Sequence, residues 1–125
     1  MLARITQWLK ARDQRRRQHA EAWRPAIAVG PDRQSPFQRE AQSRLSALLK
    51  EAGPGVTTQI NHVATDFDCI ELTAPVTSIQ LWIFPDQVDV QIPRKHTVFE
   101  HWDAATPEQM LGRIEDYLRS VIRLA

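Results

Sequence analysis

Four histidines, one cysteine and a close pair of aspartates are the side chains through which this 125-residue chain could move protons, attack a substrate or hold a metal. His96 and His101 lie five apart, and in one strand an odd spacing sends two side chains to opposite faces, so they do not form a shared metal site. His62 alternates with Ile60 and reads as an ordinary strand-face histidine. In Thr65-Asp66-Phe67-Asp68-Cys69 the two carboxylates could hold a hard cation, but acids in such a turn are commonly just solvated. Cys69 has no base beside it, and a half-buried strand thiol is usually packing. The glycines at 30, 53, 55 and 112 are too scattered to cradle a phosphate. The sequence therefore predicts a non-enzymatic protein with no catalytic residue, no metal and no cofactor.

What remains is recognition, and two patterns carry it. The first is basic. Residues 1–40 hold nine Lys/Arg against four Asp/Glu, whereas residues 41–125 hold seven against eleven, although the whole chain has a formal charge of only +1. Arg12, Arg15 and Arg16 fall on one helical face, a footprint for an anionic partner, with Arg17 beside them. The second pattern is aromatic. In Ile79-Gln-Leu-Trp-Ile-Phe-Pro-Asp-Gln-Val-Asp-Val-Gln-Ile92 the second arm alternates cleanly, but the first is apolar on both sides, because Trp82 and Phe84 oppose Ile79, Leu81 and Ile83.

The elements that position these residues follow from period and punctuation. Leu2, Ile5, Trp8 and Leu9 begin a basic helix over residues 1–23, and Pro25, Gly30, Pro31 and Pro36 make 24–34 an extended connector. Ser35-Pro36-Phe37-Gln38 is a helix start, and the helix buries Phe37, Ala41, Leu45, Leu48 and Leu49 before Gly53-Pro54-Gly55 ends it. From Val56 the period becomes 2, with strands near 56–63, 68–73, 77–84, 87–92 and 96–101. Connections so short permit only an antiparallel meander. Thr106-Pro107-Glu108-Gln109 starts a last helix with Met110, Leu111, Ile114, Tyr117, Leu118, Val121 and Ile122 on one side. The expected fold is α+β: a two-layer sandwich of a five-stranded antiparallel meander with two amphipathic helices on one face, preceded by the basic N-terminal helix. Residues 1–34 are the helix and connector; 35–125 form the α-β(5)-α body.

On such a sheet Ile79, Leu81, Ile83, Val88, Val90 and Ile92 face the helices, which leaves Gln80, Trp82, Phe84, Asp89 and Gln91 on the other face. Burying an aromatic contributes on the order of 2–3 kcal/mol, so two of them in water need a reason. Either the N-terminal segment crosses this face and lays Trp8, Trp23, Ile27 or Val29 on it, or the face binds a partner through Trp82, Phe84, Asp89, Gln91 and Trp102.

The aromatic hairpin LWIFPDQVDV, the strand end HTVFEHWD and the Thr-Pro-Glu-Gln helix start together resemble the small α+β immunity proteins of bacterial polymorphic-toxin and contact-dependent inhibition systems. The likeness covers residues 36–125 and is one of layout. It implies a protein that neutralises a cognate toxin domain by occluding it, with partner choice set by acidic and aromatic surface residues. Two other readings stand beside it: a nucleic-acid or anionic-surface binder using the basic helix, and a subunit docking into an assembly through that helix. One cysteine cannot form an internal disulfide, no leading run resembles a signal peptide, and no apolar stretch nears the roughly 20 residues of a membrane span, so the expected location is the cytoplasm.

Overall fold

Two capped helix starts and a change of period at Val56 set the architecture. The computed structural model describes residues 2–124, with the side chains of residues 2, 12, 13, 15, 16, 18 and 124 outside the description. Helix α2 (Pro36–Ala52) opens on a reciprocal cap: Gln38 N donates to Ser35 Oγ at 3.1 Å, and Ser35 N donates to Gln38 Oε1 at 2.9 Å. Helix α3 (Pro107–Leu124) opens similarly, with Gln109 N donating to Thr106 Oγ1 at 3.1 Å and Ala105 N donating to Gln109 Oε1 at 2.8 Å. At the far end of α2, Gly53 passes so close to Val76 that a Cβ there would sit 3.0 Å from its side chain.

Between the helices run β1 (Thr57–His62), β2 (Asp68–Ala74), β3 (Ile79–Ile83), β4 (Gln87–Ile92) and β5 (Lys95–Glu100), hydrogen-bonded in sequence order and antiparallel throughout. One turn of 3-10 helix (His101–Asp103) follows β5. Ile70, Leu72, Ile79, Leu81, Ile83, Val88 and Val90 face one way and are buried against Leu45, Leu48 and Leu49 of α2 and Met110, Leu111, Ile114 and Leu118 of α3. The protein is thus an α+β sandwich of a five-stranded meander and two amphipathic helices. Arg44 ties the helices together through Glu108 at 2.6 Å and through Glu115.

Helix α1 (Leu2–Ile27) departs from expectation at its end, where it runs through Pro25 instead of breaking into a connector at residue 24. Packing is the reason. Trp23 is fully buried, its Nε1 donates to Ala104 O at 2.9 Å, and its ring stands edge-on to Phe37 at 5.2 Å, while Ala26 and Ile27 lean on the same core. Proline in the final turn removes one helical hydrogen bond, and burial of an indole, on the order of 3 kcal/mol, offsets that loss.

Replacing a cap and replacing a buried amide should therefore differ in cost. Thr106→Ala is expected to lower stability by about 1 kcal/mol in a urea titration, the usual value of a cap bond. Gln38→Leu is expected to cost roughly 2–4 kcal/mol, because it strands several buried partners at once.

Candidate functional site

The candidate site is the sheet face turned away from α2 and α3. Register places its rows directly: Gln59, Glu71, Trp82, Asp89 and Val98 lie side by side across the five strands, and Thr57, Thr73, Gln80, Gln91 and His96 form the next row. Trp82 is central and half-buried, and its immediate neighbours are polar. Glu71 accepts from Gln80 Nε2 at 2.6 Å and from Asn61 Nδ2 at 3.0 Å. Asp89 accepts from Gln87 Nε2 at 3.0 Å and lies 3.6 Å from His96 Nε2. The His96 ring stands edge-on to Trp82 at 6.4 Å. Among the described residues this face presents carboxylates and amides around one indole, and neither lysine nor arginine points from it. Lys95 sits on the helix side, its Nζ 5.6 Å from the Tyr117 ring centroid.

The expected residues separate into three places. Trp82, Asp89 and Gln91 share the open face. Phe84, one step beyond β3, lines a pocket of about 400 Å³ at the end of the sheet with Ile27, Val29, Phe67, Pro85, Asp86 and Gln87. Trp102 is on the 3-10 turn, 52% exposed, against the His101 ring at 4.9 Å, and is not brought to Trp82. The side chains of Arg12, Arg15 and Arg16 lie outside the described residues. The expectation that the N-terminal segment crosses this face is corrected at Trp82: Trp23 is buried on the helix side and Trp8 is 56% exposed, whereas Ile27, which also packs on the core, and Val29 share the pocket with Phe84. A helix anchored by Trp23 in the opposite layer cannot also lie over Trp82. Sequence reading missed Glu71, Asn61 and Gln59, although the alternation of β1 and β2 assigns them to the same side as Trp82.

The aspartate-rich turn also differs from expectation. Asp68 is not a solvated turn acid; it is buried, and Arg33 Nε donates to its Oδ1 at 2.7 Å while His62 Nδ1 lies 2.8 Å away. Arg33 adopts a left-handed backbone (φ 65°) and also donates to the carbonyls of Ala64, Thr65 and Phe67, so residues 64–68 are wound around one guanidinium. The Arg33 hydrogen bond, with help from His62 and against the opposing effect of burial, holds the Asp68 carboxyl below the ordinary aspartate value. His101 sits beyond β5 with its ring 5.8 Å from Trp23, while His96 stays on the open face. Among the described residues no group of three or more His, Cys, Asp or Glu side chains could hold a metal ion, and no helix is long and apolar enough to cross a membrane. Cys69 faces the open side but is buried; burial first, then the Asp89 and Glu71 carboxylates, push its thiol up to about 11.

No protein-family model, curated protein or solved structure matches the chain.

Two titrations follow from these environments. Because the folded pKa of Asp68 is depressed, its contribution to stability is complete above the ordinary aspartate value and is lost as pH falls through the folded one. Asp68→Asn is expected to flatten the acid limb of a stability–pH profile, read from urea titrations below pH ~5. At pH ~8 the Cys69 thiol is expected to resist iodoacetamide in the native protein and to react readily in urea, since the thiolate is the nucleophile.

Proposed function

We propose that the protein is a non-enzymatic protein-binding module that engages its partner through the open sheet face, and that its biological form is a cytoplasmic immunity protein neutralising a cognate toxin domain. The observation that carries this reading is Trp82: a large aromatic centred on a five-stranded face, ringed by pre-paired carboxylates and amides, and half-buried, with no helix packed over it among the described residues. Interfaces are organised in this way, with a Trp anchor in the middle and polar groups around it. The resemblance in layout to immunity proteins supports the toxin-neutralising form. The partner surface must supply hydrogen-bond donors and positive charge, because Glu71, Asp89 and Glu100 give the face its sign.

Trp82→Ala tests the reading on two measurements. Stability is expected to fall by less than about 2 kcal/mol, against roughly 3–5 kcal/mol for the fully buried Trp23→Ala. Binding is expected to weaken by about 2–4 kcal/mol, the range of an interface anchor. The assay uses the wild-type chain as bait in extract from its native cell, with nuclease-treated and high-salt arms. Expression of the retained protein alone should arrest growth, and co-expression of the wild-type chain should restore it. Retention that Trp82→Ala leaves unchanged, or that nuclease abolishes, would sink the proposal.

A further inference from the structure

The pocket beside Phe84 is built on a turn whose backbone is tied down at three points. Pro85 O accepts from Ser35 Oγ at 2.8 Å, Asp86 O accepts from His101 N at 3.1 Å, and Phe84 N donates to Gln87 O at 2.9 Å. Of the other walls, Phe67 has its carbonyl held by Arg33 Nη2 at 3.1 Å, and Ile27 leans on the core. The cavity therefore exists before any ligand arrives, and little ordering is left for binding to impose. Its volume of about 400 Å³ is at the small end of ligand sites, roughly 300–1,000 Å³. One side chain of a partner fits such a space; a whole helix does not.

The lining decides what that side chain must be. Ile27, Val29, Phe67, Phe84 and Pro85 are apolar, and Asp86 is the one charged residue among them and Gln87. The Asp86 side chain is 44% exposed and pairs with no lysine or arginine among the described residues, while Arg33, which reaches Phe67 O, is already engaged by Asp68. His101 Nδ1 lies 3.6 Å from Asp86 Oδ2, beyond hydrogen-bond distance, and is buried without a partner. A carboxylate with about four lone-pair sites thus stands at an apolar cavity with its acceptor capacity unused. Gln87 joins this cavity to the open sheet face, because it lines the one while its Nε2 holds Asp89 on the other at 3.0 Å.

We propose that this pocket receives an arginine side chain of the protein partner, with the guanidinium plane against Phe67, Phe84 and Pro85 and its N–H groups on Asp86. The proposal rests on the reading of the open face as a protein-binding surface and names the residue that the partner brings to the end of that face. Charge complementarity selects a cation, since a leucine or phenylalanine in the cavity would draw Asp86 out of water and leave it unpaired. Between the two common cations the walls decide. A lysine ammonium is a compact, strongly hydrated charge, whereas a guanidinium is planar, less hydrated, stacks on aromatic rings and presents a fork of donors that matches a carboxylate. Arginine is also among the residues that most often anchor interfaces. The contact is then reciprocal: the chain offers Trp82 to the partner, and the partner offers a cation to the chain.

Capped single amino acids test the pocket on the full-length chain alone. The probes are the N-acetyl, N-methylamide derivatives of arginine, citrulline, lysine and leucine, titrated against the isotope-labelled protein and read at the backbone amides of Val29, Phe67, Phe84, Asp86 and Gln87 by NMR. The arginine probe is expected to shift these amides saturably in the millimolar range. Citrulline has nearly the same shape without the charge, and it is expected to bind about threefold or more weakly, the scale of a partly exposed ion pair. Asp86→Asn is expected to bring the arginine probe down to the level of citrulline and to leave citrulline unchanged, which isolates the charge contact as a double-mutant cycle does. If that variant fails to fold, the four wild-type titrations still decide. Absence of shifts at these amides, or citrulline, leucine or lysine binding as tightly as arginine, overturns the proposal. The captured partner separates this proposal from the broader reading. Retention that Trp82→Ala loses and folded Asp86→Asn keeps leaves the open face a binding surface and overturns the arginine pocket; retention that Asp86→Asn loses and Trp82→Ala keeps supports the pocket and removes Trp82 as the anchor.

Discussion

One buried amide holds the two layers in place. The side chain of Gln38 is fully buried, accepts from Ser35 N, and donates to Asp68 O at 2.6 Å and Ile83 O at 3.0 Å. Ser35 Oγ in turn donates to Pro85 O at 2.8 Å. The group that caps α2 therefore also satisfies the first carbonyl of β2 and the last of β3. An unpaired buried carbonyl costs about 1–3 kcal/mol, so sliding the helix along the sheet would strand several groups together. This fixes the height of α2 over the sheet, and through Leu45, Leu48 and Leu49 it fixes which residues of the meander face inward. Trp82 faces outward as a consequence, since the strand that buries Leu81 and Ile83 must present the residue between them to the other side.

A second knot closes the same end of the sandwich. Arg33 gathers the carbonyls of residues 64, 65 and 67 and the carboxylate of Asp68, and Asp68 N returns a hydrogen bond to Arg33 O at 2.9 Å. Trp23 then docks across Phe37 and onto Ala104. The connector between α1 and α2 is thus held to the body by a guanidinium on one side and an indole on the other. The described side chains of α1 from residue 3 to residue 17 are exposed, and the anchoring to the body begins at Trp23.

Much of this fold is legible in the sequence because its signals are local. Both Ser/Thr-Pro-x-Gln starts form caps, and the switch from period 3.6 to period 2 at Val56 falls where β1 begins. The assignment of Trp82, Asp89 and Gln91 to one face needs only alternation along β3 and β4, and register agrees with it. Other features depend on partners distant in sequence. Nothing near Trp23 marks it for the helix layer; its partners are Phe37 and Ala104. Asp68 reads as a turn acid because Arg33, which buries it, is 35 residues away. Pro25 reads as a helix end because local geometry says so, and only the burial of Trp23 and Ile27 outweighs that preference. Trp102 looked like a neighbour of Trp82 by composition alone, yet β5 ends at Glu100 and the chain turns away before reaching it.

The polar half of the open face matters as much as its indole. Long amide and carboxylate side chains lose on the order of 1.5–2 kcal/mol of rotamer entropy when fixed, and at most surfaces that loss falls on binding. Here part of it is met on folding, because both Glu71 oxygens are already engaged by Asn61 and Gln80, and Asp89 is held between Gln87 and His96. A carboxylate has about four lone-pair sites and each of these engages only two groups, so acceptor capacity remains, directed outward, at positions that are nonetheless fixed. Trp82 adds apolar area with only two rotatable bonds to order. A basic, partly apolar surface arriving on this face therefore meets groups whose geometry is settled beforehand, and the affinity of the contact depends on charge and shape rather than on how much disorder must first be removed.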